Sequence, residues 1–205
     1  MKRSPSLKRV LLFLSSTICL TACEKTVDKC FDFNKYDYYR EEVEGAKNCL
    51  PSAAELGEYK AVQFAYREVR ESLLFGFYDE GISLFVDYSE EVYSQIKEEV
   101  VQSHHFIEEV DPSKEREYLI FPMASFDYND YSFRIALPPF ETSDGIRYYY
   151  DCSRFVMIGF NEELFSIAYL YFYNFDLDYL YSKDDPGDIN DVMPKFIKRF
   201  FYWRK

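Results

Sequence analysis

The segment SHHFIEE (103–109) holds both histidines of the chain, with Glu108 and Glu109 close behind. On a helix, His104/Glu108 and His105/Glu109 would each share a face at i, i+4, a spacing that serves a divalent metal. A zinc site, however, takes at least three protein ligands, chiefly nitrogen or sulfur donors, and adjacent histidines point apart on a helix or a strand. The chain has no HExxH and no closely spaced cysteine pair. The segment therefore reads as a polar helix end running into a loop, and neither a metal nor a cofactor is expected.

Other chemistry is equally thin. A serine nucleophile needs a strained turn, a base and a group that orients the base. No GxSxG occurs, and two neighbouring histidines offer at most one base. Cys152 lies in YYDCSR (149–154), without the local signature of a thiol protease. With 36 acidic residues some carboxylate pair is inevitable, so abundance singles out no glycosidase pair. Glycine-rich phosphate loops are absent. A non-catalytic role is expected, and a hydrolase with an unrecognised site is the third reading.

The remaining chemistry is that of the cysteines. Cys23 ends the stretch LLFLSSTICLTAC (11–23), which follows Lys2, Arg3, Lys8 and Arg9 with no acid before Glu24. The apolar run is too short to span a bilayer, which takes ~20 residues, and it has the form of a secretory signal peptide. Leu20-Thr21-Ala22-Cys23 resembles the lipobox of bacterial lipoproteins. The resemblance covers residues 1–24 only. It implies cleavage before Cys23, diacylation of that thiol and an anchor in the cell envelope. Glu24-Lys25 departs from the aspartate that marks inner-membrane retention, so the periplasm-facing outer membrane is favoured. The expected parts are a cleaved leader (1–22), which the resemblance implies, a lipidated tether (23–35) and one soluble domain (36–205). In an oxidising compartment a Cys30–Cys49 bridge is expected, contributing roughly 3 kcal/mol through loop closure. A bridge from either residue to Cys152 is the alternative.

Removing the leader takes the net charge from −12 to −16 and leaves 183 residues, enough for one core. Such a charge argues against nucleic acid and suits a cationic protein partner. No later apolar stretch is long enough to span a membrane. Twenty Tyr and 20 Phe are the oddest feature of the composition. Phe reads as core, whereas Tyr serves either a core edge or a rigid binding surface.

The elements that must hold these residues follow from periodicity. A short helix is expected over 36–48. Ser52 with Glu55 forms a capping-box pattern, and Val62, Tyr66, Val69 and Leu73 predict a helix over 53–71, with a strand through Val62, Phe64 and Tyr66 as the competing reading. Residues 72–88 predict a hairpin turning at Asp79-Glu80-Gly81. A helix starts at Asp87 or Ser89 with Val92, Ile96 and Val100 as its stripe. A strand is expected at 117–123. Hairpins turn at Asn129-Asp130 and Asn161–Glu163, and Ser143-Asp144-Gly145 makes a further turn. Asp191 caps a C-terminal helix whose basic end, KFIKRFFYWRK (195–205), docks on the sheet or else lies on a membrane. The result is an α+β fold, a mainly antiparallel sheet of hairpins with helices on one face.

Two clusters alternate aspartate with tyrosine at predicted hairpin ends: Asp127, Tyr128, Asp130 and Tyr131, then Asp176, Asp178 and Tyr179. Rigid rings beside carboxylates suit a cationic protein partner. In general character, though with no shared motif, a small acidic tyrosine-rich domain tethered in the periplasm resembles bacterial immunity lipoproteins that neutralise envelope-targeting toxins. An envelope-assembly or housekeeping lipoprotein is the alternative.

Overall fold

The computed structural model describes residues 25–71, 77–108, 124–143, 145–148, 154–174, 196–198 and 201–203. Its strands are β1 (Lys25–Cys30), β2 (Ala61–Glu71), β3 (Phe77–Asp87), β4 (His105–Phe106), β5 (Ser125–Tyr128), β6 (Tyr131–Leu137), β7 (Pro139–Thr142), β8 (Gly145–Tyr148), β9 (Arg154–Asn161) and β10 (Ser166–Asn174). Eight of them form one sheet, ordered β1-β2-β3-β10-β9-β6-β4, with β5 beside β4 on the same edge of β6. All the described pairings are antiparallel, and β7 and β8 make a separate hairpin. The expected α+β class stands. Residues 1–24, and with them Cys23, lie outside the described residues, as do the expected strand at 117–123 and the cap at Asp191.

The central strand β10 is buried on both faces from Ile167 to Phe172, so its sequence is a continuous apolar run rather than an alternation. One face carries Phe64, Tyr66, Ile82, Leu84, Val156, Ile158, Tyr169 and Tyr171. Two helices cover it: α1 (Tyr36–Glu42) and α2 (Glu90–Ser103). Tyr36 and Tyr39 of α1 pack their rings on Phe64 and Tyr66, and α2 buries Tyr93 and Val100. Ser89 caps α2 as expected, accepting from the Val92 N–H. Val92 and Ile96 of the expected stripe are only half-buried.

The other face is not left to solvent. The C-terminal segment lays Phe196, Ile197, Phe201 and Trp203 over Phe85, Phe133, Met157, Leu170 and Phe172. Residues 196–198 and 201–203 therefore dock on the sheet opposite the two helices, the first of the two alternatives for that segment.

One row across this face fixes the fit. Gln63, Phe85, Ala168, Gly159, Phe133 and Phe126 stand opposite one another on β2, β3, β10, β9, β6 and β5. The two middle positions have almost no side chain. Phe133 folds its ring over Gly159, and Trp203 bridges the row from Phe85 (4.9 Å between ring centroids) to Phe133 (5.9 Å).

Three expectations are corrected. Residues 61–71 are strand, not helix. Gly57, at φ +70°, ends a short 3-10 turn over Ala53–Leu56, and only the capping pattern survives, with the Ser52 N–H donating to Glu55 at 2.6 Å. Asp79-Glu80-Gly81 is not a turn but the middle of β3, paired on both sides. The helix over 36–48 stops at Glu42, and Gly45, at φ +81°, leads into a 3-10 turn over Ala46–Asn48. By contrast the Asn129-Asp130 turn forms as expected, both residues at positive φ (46° and 64°), as a two-residue hairpin loop of type I′ requires.

A Cβ at position 159 would lie 2.6 Å from the Phe133 ring. Gly159→Ala is expected to lower stability by about 1–3 kcal/mol in urea unfolding, and adding Phe133→Leu in the same chain should recover part of the loss.

Candidate functional site

The β5–β6 hairpin brings only part of the expected aspartate–tyrosine cluster to the surface. Asp127 and Asp130 are exposed, and Asp127 accepts from the Ser132 hydroxyl at 2.6 Å. Tyr128 is half-buried, its ring edge-on to Trp203 at 4.9 Å. Tyr131 is a correction: strand alternation turns it inward, where it is 2% exposed and its hydroxyl lies 2.8 Å from Ser166 Oγ. Asp176, Asp178 and Tyr179 lie outside the described residues.

Trp203 connects Tyr128 to a feature that the sequence did not suggest. A cavity of about 570 Å³ opens at the edge of β2, lined by Phe31, Phe33, Val62, Gln63, Phe64, Ala65, Ser83, Phe85, Tyr202 and Trp203. Its walls are held from both chain ends. Ser83 Oγ donates to the Tyr202 carbonyl at 3.2 Å, tying the C-terminal segment to β3. Phe31, just past β1, sits edge-on to Tyr202 at 4.9 Å and remains 58% exposed, and the Lys29 ammonium lies 5.1 Å from the same ring. Tyr128 thus meets Trp203 and Phe31 meets Tyr202, and the adjacent residues 202 and 203 join the two ring contacts into an aromatic path with Asp127 and Asp130 exposed on the hairpin at one end.

The histidines serve the fold. His104 terminates α2, so His104 and Glu108 never share a helical face, and His105 opens β4. The His104 ring reaches two carbonyls, Val100 O from Nδ1 at 3.0 Å and Cys49 O from Nε2 at 3.1 Å, clipping α2 to the segment after α1. A cavity of about 390 Å³ beside it includes Arg40, Glu55, Cys49 and Tyr169 in its lining. Arg40 is likewise committed to backbone, donating to Leu50 O at 2.8 Å and Lys47 O at 2.7 Å. Among the described residues no group of three or more His, Cys, Asp and Glu side chains could hold a metal ion.

The expected Cys30–Cys49 bridge is absent. Both are free, buried thiols. Cys30 ends β1 opposite Tyr66, whereas Cys49 closes the 46–48 turn with its carbonyl against His104, so α1 docks between two separately packed niches. Burial pushes the Cys49 thiol up to about 12. Cys152 lies outside the described residues.

One carboxylate pair is set apart by burial. Glu68 and Glu80 stand directly opposite on β2 and β3, 7% and 8% exposed. Glu68 pairs with Arg70, and Tyr66 donates its hydroxyl to Glu80 at 2.9 Å. This is a satisfied polar end to the helix-covered face. Burial raises the Glu80 carboxyl above its ordinary range, and the facing Glu68 adds to the shift while the tyrosine hydroxyls oppose it.

No protein-family model matches the chain, and no curated protein or solved structure is significantly similar to it. Among the described residues no helix is long and apolar enough to cross a membrane.

A carboxyl raised by folding binds its proton more tightly in the native state, so its contribution falls as pH rises from the unfolded value near 4.5 through the raised native one. Glu80→Gln keeps an acceptor for Tyr66 and cannot ionise. It should flatten that part of the stability curve and exceed the parent in stability at neutral pH, measured by urea unfolding from about pH 4 to about pH 8.

Proposed function

We propose that this protein is a lipid-anchored component of the bacterial cell envelope whose domain binds a cationic protein partner and performs no catalysis, with immunity to an envelope-targeting toxin as the narrower form of that role. The observation that carries the binding role is the aromatic path from Phe31 through Tyr202 and Trp203 to Tyr128, ending at Asp127 and Asp130. Rigid rings half-sunk in a core lose little entropy when covered, and they supply most of the affinity at protein interfaces. The carboxylates and the net charge, −16 once the leader is removed, would steer a basic partner. Anchoring rests on Leu20-Thr21-Ala22-Cys23, and two or three acyl chains hold a protein on a membrane where one does so only marginally.

Cys23→Ala should move the protein from the membrane to the soluble fraction, or leave it unprocessed, and should abolish labelling by a palmitate analogue; normal processing and labelling in that variant would remove the anchor. For the domain, affinity capture from envelope extracts with the full chain, followed by association kinetics on the captured protein, tests the rest. Raising salt should slow association far more than it speeds dissociation. Asp127→Asn with Asp130→Asn should mimic high salt, whereas Tyr128→Ala should chiefly speed dissociation. A partner whose kinetics ignore all three changes binds elsewhere.

A further inference from the structure

The sheet has an unequal edge. β2 pairs with β3 along its whole length, Ala61 to Glu71, but β1 covers only Tyr66 to Glu71. At Cys30 the chain leaves the sheet, because Asp32 caps a 3-10 turn over Phe33–Lys35 by accepting from the Asn34 N–H at 3.1 Å. Five residues of β2, about 17 Å of strand, are left without an outer strand among the described residues, and the 3-10 turn over Phe33–Lys35 packs near them instead.

Their hydrogen-bonding direction follows from the ladder. The Tyr88 N–H donates to Phe165 O on the β10 side, and Asp87 O accepts from the Lys60 N–H on the β2 side. Successive residues of a strand turn their N–H and C=O groups to opposite sides, so the odd-numbered residues of β3 face β2. They stand opposite Ala61, Gln63 and Ala65. Val62 and Phe64 therefore point both N–H and C=O outward, into the cavity they line. Phe33 packs with the helix-covered core on one side of this edge, and Tyr202 and Trp203 close the other side.

We infer that this slot takes an extended strand of the protein partner, which pairs with the backbone of Val62 and Phe64 and continues the line of β1. The inference rests on the partner-binding role and specifies how that partner engages. Two outward donors and two outward acceptors in register call for extended backbone. An added strand sends alternate side chains to opposite faces, one set against Phe33 and the other against Tyr202 and Trp203. An open edge lined with aromatic rings is the kind that proteins otherwise cover or charge. The partner is basic, since the chain carries a net charge of −12.

Trp203, the only tryptophan of the chain, lines the slot and reports its occupancy by fluorescence. The probe is a heptapeptide with lysine at both ends and valine, threonine, phenylalanine, threonine and valine between them, titrated into the full chain in detergent. It should shift Trp203 emission saturably and protect the Val62 and Phe64 amides from hydrogen exchange. Methylating the peptide nitrogens along one edge, which keeps the side chains and removes ladder donors, should weaken binding at least tenfold, and glutamate ends in place of lysine should weaken it as well. Val62→Pro, tolerable at an edge because the lost N–H points outward, should weaken the unmethylated peptide by a similar factor.

No saturable response to the lysine-ended peptide, or equal binding of its methylated form, would overturn the slot. Concentration-dependent dimerisation abolished by Val62→Pro would make the occupant a second copy of this chain and overturn the partner assignment. A partner captured as before by the Val62→Pro chain would sink this inference and leave the binding role standing, whereas a peptide-competent slot with no envelope partner would do the reverse.

Discussion

The molecule depends on a place where side chains are missing. Gly159 and Ala168 stand side by side on the two innermost strands, between Phe133 and Phe85, and the hollow they leave is what aromatic rings from neighbouring strands and from the C-terminal segment lie across. Close packing tolerates no substitute for that space. Without it Trp203 could not reach from Phe85 to Tyr128, the C-terminal segment would have no seat, and the slot would lose one wall. The fit of large against small across this row thus joins the core to the walls of the cavity beside β2.

The opposite face is assembled on another principle. The chain between β1 and β2 has little regular structure, yet it buries Tyr36, Val43, Ala46, Cys49, Leu50 and Leu56. Its backbone polar groups are answered locally: Arg40 for two carbonyls, the Tyr36 hydroxyl for Pro51 O at 2.5 Å, and Asp37 for the Ala53 N–H at 2.9 Å. Side chains there do what a helix ladder would otherwise do, as buried backbone requires. The same path away from the sheet exposes the start of β2, so the irregular segment and the open edge share one origin.

What could be read in the sequence was local. The Asn129-Asp130 turn, the Ser89 cap and the β9–β10 hairpin rest on neighbouring residues and formed where their chemistry placed them. β2 was misread because Val62, Tyr66 and Val69 fall at helical spacing, and only pairing with β1 and β3, set by residues far along the chain, decides for strand. Asp79-Glu80-Gly81 has turn composition, but Glu80 is accommodated in the sheet by a hydroxyl from Tyr66, which no local pattern reveals. The aspartate–tyrosine cluster was half legible: Tyr128 and Tyr131 stand opposite each other across the two-residue loop, so alternation from Phe126 and Phe133 puts both rings on the covered face and leaves Asp127 on the other. The slot was not legible at all, because it exists only where β1 stops and where Trp203 arrives from the far end of the chain.

That distance has a kinetic side. The hydrogen bond from Ser83 to the Tyr202 carbonyl closes a separation of 119 residues. Contacts so remote in sequence form late, because the entropy of closing the loop is lost before any of them repays it. The hairpins can zip first and pair into a sheet while Phe85, Phe133 and Phe172 still face water. During that interval the chain presents an aromatic plate and a bare strand edge together, the combination most prone to non-native association. The step that seats the C-terminal segment is therefore also the step that ends the protein's most vulnerable stage of folding.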